Sequence, residues 1–113
     1  MTQPHRQPLG VVLSSVTDTT VHEMIELAQL AQAQGFSAVL VNEGRADALA
    51  ASLAIAGATT DIQVGTNIAN IYFRHPFLCA ATARTIAEIS GGRLLLGLGM
   101  SHRGLLATLG IEM

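Results

Sequence analysis

The chain has 113 residues, of which half are apolar and 12% are charged, and its formal net charge is −2. It has no tryptophan and no excess of basic residues, so we expect no nucleic-acid partner. No apolar run approaches the roughly 18 residues that a membrane span needs, so we expect no membrane partner. The length predicts one domain over residues 1–113, with residues 1–8 as a flexible polar tail. Cys79 is the only cysteine, which indicates a reducing, cytoplasmic setting without an internal disulfide.

A strand and a capped helix are predicted first along the chain. Residues 9–15 form a short apolar run that is typical of a strand covered on both faces. Thr20 and Glu23 have the spacing of a capping box, and apolar residues then recur at helical spacing until Gly35. We therefore expect a strand over 9–15 followed by a helix that ends at Gly35.

Three more strand and helix units follow in the sequence. The predicted segments are strand 36–42, helix 48–58, strand 62–67, helix 76–89, strand 93–98 and the opening of a helix over 105–109. Asp47 is a suitable N-cap for the second helix, and Pro76 suits the first turn of the third. We expect the inward face of this third helix to include Leu78, Ile86 and Ile89.

The strands recur at a regular spacing, with starts near residues 9, 37, 62 and 93. Such repeated βα units give parallel strands joined by right-handed crossovers, as in a barrel or in an open doubly wound sheet. A complete eight-unit barrel takes roughly 200 residues or more, so about half of a barrel would be present here.

Small polar side chains follow two of the predicted strands. Asn67 and Asn70 come after the third strand, and Ser101 comes after the fourth. Neutral donors and acceptors of this kind can bind the edge of a planar heterocycle, because strand ends are where α/β proteins place ligands. The alternative is that the asparagines satisfy their own loop backbone.

The segment from Gly97 to Ser101 begins like a dinucleotide-binding fingerprint, but His102 stands at the position of its third glycine. The fingerprint also belongs after the first strand of a domain, so we reject a dinucleotide-binding domain. An open flavodoxin-like sheet that binds a phosphate compound at Gly97 to Ser101 is still an alternative, and the order of the strands distinguishes it from a barrel.

Glu43, His75 and His102 are candidates for proton transfer, since each follows a predicted strand. Glu43 could act as acid or base or bind a substrate amine; alternatively, it is a solvated side chain paired with Arg45. A loop histidine is likewise more often only solvated. We expect Phe73 to pack rather than to contact a cofactor. No two histidines have the spacing of metal ligands on one helix, so no metal site is predicted.

A set of motifs spaced along the chain resembles one enzyme family. The motifs are Gly35-Phe36, Glu43, Asp47-Ala48, Gly65-Thr66-Asn67, Arg74-His75-Pro76 and the run SGGRLLLGLGMSH over 90–102. From about Leu9 onward the chain resembles the N-terminal half of a luciferase-like monooxygenase, a family of flavin- and deazaflavin-dependent oxidoreductases. The pairing of R-H-P with S-G-G-R-x-x-L-G-x-G carries most of the resemblance.

This resemblance implies an α/β fold of the (β/α)8 TIM-barrel type, here with the first four units and strand order 1-2-3-4. It also implies hydride transfer, or monooxygenation with molecular oxygen, on a small-molecule substrate. Glu43 followed by Gly44 is more similar to the branch that uses coenzyme F-420, a deazaflavin, than to the luciferases, and FMN is the alternative cofactor.

Specific site residues follow from the same resemblance. The cofactor would lie against Asn42, Asn67, Ile68, Asn70, Gly99 and Ser101, with a cis peptide bond between Asn67 and Ile68. Glu43 and His102 would be the catalytic acid or base.

The length of the chain departs from the family, because phosphate sites in such barrels form after the later strands. We therefore expect a homo-oligomer or a missing C-terminal half. The alternative function is a non-catalytic half-barrel remnant or association module that pairs through its exposed sheet edge.

Overall fold

The structure is a computed structural model that describes residues 7–16 and 18–113. Strands and helices follow one another as β1 (Gln7–Leu13), α1 (Val21–Ala33), β2 (Phe36–Val41), α2 (Ala48–Ala58), β3 (Gln63–Thr66), β4 (Ala69–Asn70), α3 (Pro76–Ser90), β5 (Leu94–Leu95), β6 (Leu98–Gly99) and α4 (Arg103–Thr108). Most of the predicted tail over residues 1–8 lies outside the described residues, and its last two residues belong to β1. Within the described part, no helix is both long and apolar enough to cross a membrane.

The main sheet has four parallel strands in the order β1, β2, β3, β5. The main-sheet strands are therefore neighbours in chain order, and the direction of the order never reverses. A doubly wound sheet requires such a reversal, so the flavodoxin-like alternative is wrong. The predicted barrel order 1-2-3-4 is confirmed.

The core lies between the helices and one face of the main sheet. Most of its fully buried side chains come from three helices and two central strands, and they include Met24, Leu49, Ile55, Ile86, Val39, Val41 and Val64. The helix α2 contacts both α1 and α3 and is buried on most of its surface, because its alanines let the neighbouring helices approach closely. The three long helices thus form one layer on one side of the sheet.

The opposite face of the sheet is apolar and open. Val12, Leu40, Gly65 and Leu95 are neighbours in register across the four strands, on the face that points away from the helices. Val12 is 50% exposed and Leu95 is 39% exposed, whereas the next residue along β1, Leu13, is buried in the core. The prediction that the first strand is covered on both faces is therefore wrong, because all the long helices lie on one side.

The fourth predicted strand is also different from expectation, since 93–98 is not continuous. It divides into β5, which pairs with β3, and β6, which pairs with β4. Between them, the hydroxyl of Thr66 accepts from the amide of Gly97 at 3.0 Å and donates to the carbonyl of Gly97 at 2.8 Å. The Thr66 hydroxyl therefore occupies the Gly97 amide, while the Gly97 carbonyl also accepts from the amide of Ala69 at 2.8 Å, so the pairing passes from β3 to β4 at this residue.

The predicted starts of the first three helices are confirmed, whereas α4 begins at Arg103, two residues before the predicted opening at 105, because His102 caps it. Thr20 and Glu23 form both halves of the capping box on α1, and Asp47 accepts from the amides of two residues in the first turn of α2. His75 caps α3, with Pro76 in the first turn.

The predicted inward face of α3 is only partly correct. Ile86 is buried, but Leu78 and Ile89 are more than half exposed, and Cys79 packs against the core instead. The inward side is set by contacts with α2 and β5, which the helical spacing alone does not show.

The loop between α2 and β3 is held at the amino-terminal edge of the sheet. The carbonyl oxygen of the Gln32 side chain, on α1, accepts from three consecutive amides, those of Thr60, Asp61 and Ile62, at 2.7–3.1 Å. Gln29 donates to the carbonyl of Ala58 at 3.0 Å. These bonds fix the loop to the helix beside it.

Candidate functional site

A cavity of about 440 Å³ lies at the carboxyl ends of the strands. Of the eight predicted site residues, six line it: Asn42, Glu43, Asn67, Ile68, Asn70 and Ser101. These residues follow β2, β3 and β6 or belong to β4, so the ends of the predicted second, third and fourth strands meet at one cavity.

Two of the three asparagines that line the cavity, Asn42 and Asn70, have side-chain partners in the protein. The Asn42 side-chain oxygen accepts from the amide of Ser15 at 2.8 Å, which ties the end of β2 to the end of β1. Asn70 is 1% exposed, and its side-chain oxygen accepts from the amide of Tyr72 at 2.9 Å. Both side chains therefore organise nearby backbone as well as lining the cavity.

The turn after β3 and the residues after β6 form the central wall. The peptide bond between Asn67 and Ile68 is cis, as the family resemblance implies. Gly99 lies directly behind Ile68: a Cβ on Gly99 would be 2.8 Å from Cγ1 of Ile68. Gly99 does not line the cavity itself, but its missing side chain makes room for one that does.

Ser101 has an unusual backbone conformation for its residue type. Its φ is 63°, and among the described residues it is the only one other than glycine with a positive φ. Such residues occur often at ligand sites, where the surrounding structure holds them in place. The conformation lies where the chain leaves β6 and turns toward α4.

Glu43 is not a solvated side chain, and its ion-pair partner is not Arg45. Its carboxylate is 2.8 Å from the guanidinium of Arg74, and the two side chains are only 9% and 10% exposed. Arg45 contacts Asp18 instead, at the surface. The alternative in which Glu43 pairs with Arg45 is therefore wrong.

The two histidines after the strands both cap helices. Nδ1 of His75 accepts from the amide of Phe77 at 3.0 Å, and Nδ1 of His102 accepts from the amide of Leu105 at 3.2 Å. Because Nδ1 accepts in each case, the ring proton of the neutral form lies on Nε2. His102 is next to Ser101 in sequence but does not line the cavity.

Six lining residues were not predicted as site residues: Val16, Gly44, Arg45, Phe73, Leu105 and Leu109. Leu105 and Leu109 are four residues apart just after the last predicted strand end, so they lie on one face of the short α4 region. This spacing is a signal that could have identified them. Phe73 was expected only to pack. It lines the cavity because of the path of the loop between β4 and α3, which the sequence does not show.

A family model of luciferase-like monooxygenases matches residues 3–108. The chain belongs to this family. It is 32% identical over 99 residues to 5,10-methylenetetrahydromethanopterin reductase from Methanolobus tindarius. That match covers 86% of this chain and 30% of the reductase, so the chain spans about a third of the length of this relative.

Two solved structures have the same arrangement of strands and helices. The coenzyme F-420-dependent tetrahydromethanopterin reductase from Methanopyrus kandleri matches with a TM-score of 0.83 at 24% identity, over 96% of this chain and 31% of the reductase. The oxygenating constituent of 3,6-diketocamphane monooxygenase from Pseudomonas putida, solved with FMN, matches with a TM-score of 0.77 at 18% identity. That match covers 91% of this chain and 32% of the monooxygenase. These similarities support the partial-barrel fold.

Proposed function

We propose that the cavity holds the ring system of a deazaflavin or flavin, and that the chain is the ring-binding part of an oxidoreductase that uses it. The observation that carries this proposal is the convergence of three strand ends on one cavity of about 440 Å³. Coenzyme F-420 is the first candidate, because two of the relatives described above are reductases and the name of one states this coenzyme. FMN is the second, because it is bound in the monooxygenase relative.

The chemistry of the lining fits a flat, largely uncharged ring. The volume of the cavity lies within the roughly 300–1,000 Å³ that is typical of small-molecule sites, and such sites combine apolar walls with a few polar groups. Ile68, Leu105 and Leu109 supply apolar surface, while Asn67 and Ser101 supply neutral polar groups. The lining has one basic side chain, Arg45, which is 68% exposed and paired with Asp18, so this cavity suits a ring better than a phosphate.

A bound deazaflavin would supply hydride transfer, and a bound flavin could also supply oxygen activation. The chain would orient the ring against the wall from Asn67 to Asn70 and exclude water with its leucines. The two predicted acid or base residues differ in their surroundings. Glu43 lines the cavity, but its carboxylate already accepts from several donors, whereas His102 caps α4 and does not line the cavity.

The proposal is tested by anaerobic titration with reduced coenzyme F-420 and with reduced FMN, followed by absorbance and fluorescence. Circular dichroism of the same sample shows whether it is folded. We expect saturable binding of at least one of the two. A folded sample that binds neither contradicts the proposal.

A matched pair of variants locates the binding. Leu109 lines the cavity and Leu30 lies on the outer face of α1, and each side chain is 54% exposed. Leu109→Arg places a charge in the apolar wall and should weaken binding about tenfold or more. Leu30→Arg makes the same change elsewhere and should leave binding unchanged. Equal effects of the two variants would mean that the ligand binds outside this cavity.

One observation favours a second candidate, an association module without catalysis. The open sheet face that contains Val12 and Leu95 is apolar, and exposed apolar surface of this kind is typical of interaction sites. This candidate predicts assembly without a bound chromophore, and the titration above distinguishes the two functions.

A further inference from the structure

The carboxylate of Glu43, which lines the cavity, and the guanidinium of Arg74 form a buried cluster at the cavity wall. One carboxylate oxygen, Oε2, accepts from the amide of Ala48 at 2.6 Å. The other, Oε1, accepts from the amide of Asn70 at 2.8 Å and lies 2.8 Å from Nη2 of Arg74. Each oxygen of the carboxylate therefore has at least one donor within the protein.

The cluster holds Asn70 by both of its peptide groups. Glu43 accepts from its amide, and Nη1 of Arg74 donates to its carbonyl at 3.2 Å. Nη2 of Arg74 also donates to the Asp47 carboxylate at 3.2 Å, and Asp47 is the N-cap of α2. Through these contacts, two side chains connect the end of β2, the start of α2, the short β4 and the loop before α3.

We propose that the Glu43–Arg74 pair is a positioning device that fixes residues 67–70 before any ligand binds. Asn67, Ile68 and Asn70 line the cavity, so the pair sets the shape of its central wall. A buried ion pair is suited to this role, because loss of either member leaves an uncompensated charge that the local structure must rearrange to solvate. The effect on cofactor binding rests on the proposed function, whereas the effect on the wall does not.

The occupied carboxylate separates this role from acid or base catalysis. A proton donor must offer an acidic hydrogen to the substrate, and protonation of Glu43 would weaken its contacts with two backbone amides and a guanidinium. Positioning therefore requires Glu43 to stay ionised. It also predicts that Arg74, which does not line the cavity, matters as much as Glu43.

The ligand-free test is residue-resolved amide hydrogen exchange of the wild-type chain and of the variants Glu43→Gln and Arg74→Met. We expect exchange at Asn70 to be about tenfold faster or more in both variants, relative to amides within α1 of the same sample. Asp18→Asn is the matched control, since it also converts an arginine-paired carboxylate to an amide, but at a side chain that is 97% exposed. It should leave Asn70 unchanged.

Three results would overturn the proposal: unchanged exchange at Asn70, faster exchange in Glu43→Gln alone, or a uniform increase throughout the chain. If Glu43→Gln does not fold, hydrogen exchange at Asn70 is measured in Glu43→Asp instead. That variant keeps the charge but lacks the reach to contact Ala48 and Asn70 together, so Asn70 should again exchange faster.

Cofactor binding by the two single variants and their double variant completes the test. We expect both single variants to bind the reduced cofactor about tenfold more weakly, and the double variant to bind little worse than either, because both remove the same contact. Additive losses would overturn the shared role. A wild-type chain that binds neither cofactor overturns the proposed function, while the exchange measurement still decides the positioning role.

Discussion

Arg93 joins the end of one helix to the start of a strand through five hydrogen bonds. Its guanidinium donates to the carbonyls of Ala56, Thr59, Ile62 and Ser90 and to the hydroxyl of Thr59, at 2.7–3.0 Å. Two of these carbonyls, those of Ala56 and Thr59, lie where α2 ends and have no further turn of helix to bond with. The arginine therefore satisfies several backbone acceptors with a single side chain.

Replacing Arg93 should destabilise the fold without changing the cavity. We expect Arg93→Ala to lower the free energy of unfolding by about 2–4 kcal/mol, because the acceptors lose bonds to a charged donor. Arg93→Lys should restore only part of the lost free energy, because an ammonium group cannot donate to all these acceptors in the planar arrangement of a guanidinium. Urea unfolding measures both, with Arg84→Ala on the exposed side of α3 as the control. A loss no larger than that of the control would contradict this account.

Local and distant partners differ in how well the sequence predicts them. Thr20 and Glu23 are three residues apart, so their capping box is visible in the sequence. Glu43 and Arg74 are 31 positions apart in the chain, and their pairing depends on the fold. The sequence indicated that Glu43 lies at a strand end, but the nearest basic residue in the sequence, Arg45, was considered as its partner. The sequence therefore predicted an acidic side chain at this strand end, but it did not predict Arg74, the partner that determines what this side chain does.

The pairing of β3 with β5 depends on a close approach at Gly65. A Cβ added to Gly65 would overlap the carbonyl oxygen of Leu95 on the neighbouring strand. Gly57 in α2 is the opposite case, since a Cβ there would meet nothing within 4 Å. The same substitution should therefore have opposite effects in the two elements.

We expect Gly65→Ala to lower the free energy of unfolding by about 2–3 kcal/mol, because the two strands must move apart. Gly57→Ala should raise it by about 0.5–1 kcal/mol, because alanine loses less backbone entropy than glycine in a helix. Thermal and urea unfolding of both variants checks the signs. If Gly65→Ala is neutral, the close approach of β3 and β5 does not occur in solution.

Helices were predicted more accurately than strands, and the reason lies in where their boundaries are determined. Asp47 and Pro76 mark helix starts through contacts within one turn, so α2 and α3 begin where the sequence indicated. The break between β5 and β6 lies at Gly97, whose backbone groups bond Thr66, 31 residues away, and Ala69. No pattern within 93–98 contains that information.

At the scale of the molecule, the helices cover one face of the sheet and leave the other apolar and accessible. Val12, Leu40 and Leu95 form a row across this open face. Contiguous apolar surface of this kind promotes association when nothing covers it. The outer edges of β1 and β5, which pair with no other strand among residues 7–16 and 18–113, add to this tendency.

We therefore expect the 113-residue chain, studied alone, to associate as its concentration rises. Val12→Lys should reduce this association, because a charge on the open face must be desolvated in any contact there. Leu27→Lys is the control, since Leu27 is 45% exposed on α1, on the covered side of the sheet. Sedimentation velocity over a range of concentrations measures the effect. A folded wild-type monomer at every concentration would contradict the prediction.

The hydrogen bonds that Gln32 and Arg93 make to the backbone lie at the amino-terminal edge of the sheet, opposite the cavity. These stabilising bonds and the residues that line the cavity therefore lie at opposite ends of the same strands. An engineer could rigidify the connection near Thr60 to obtain a more heat-resistant scaffold, and could then vary Phe73, Leu105 and Leu109 to change which ligand the cavity accommodates.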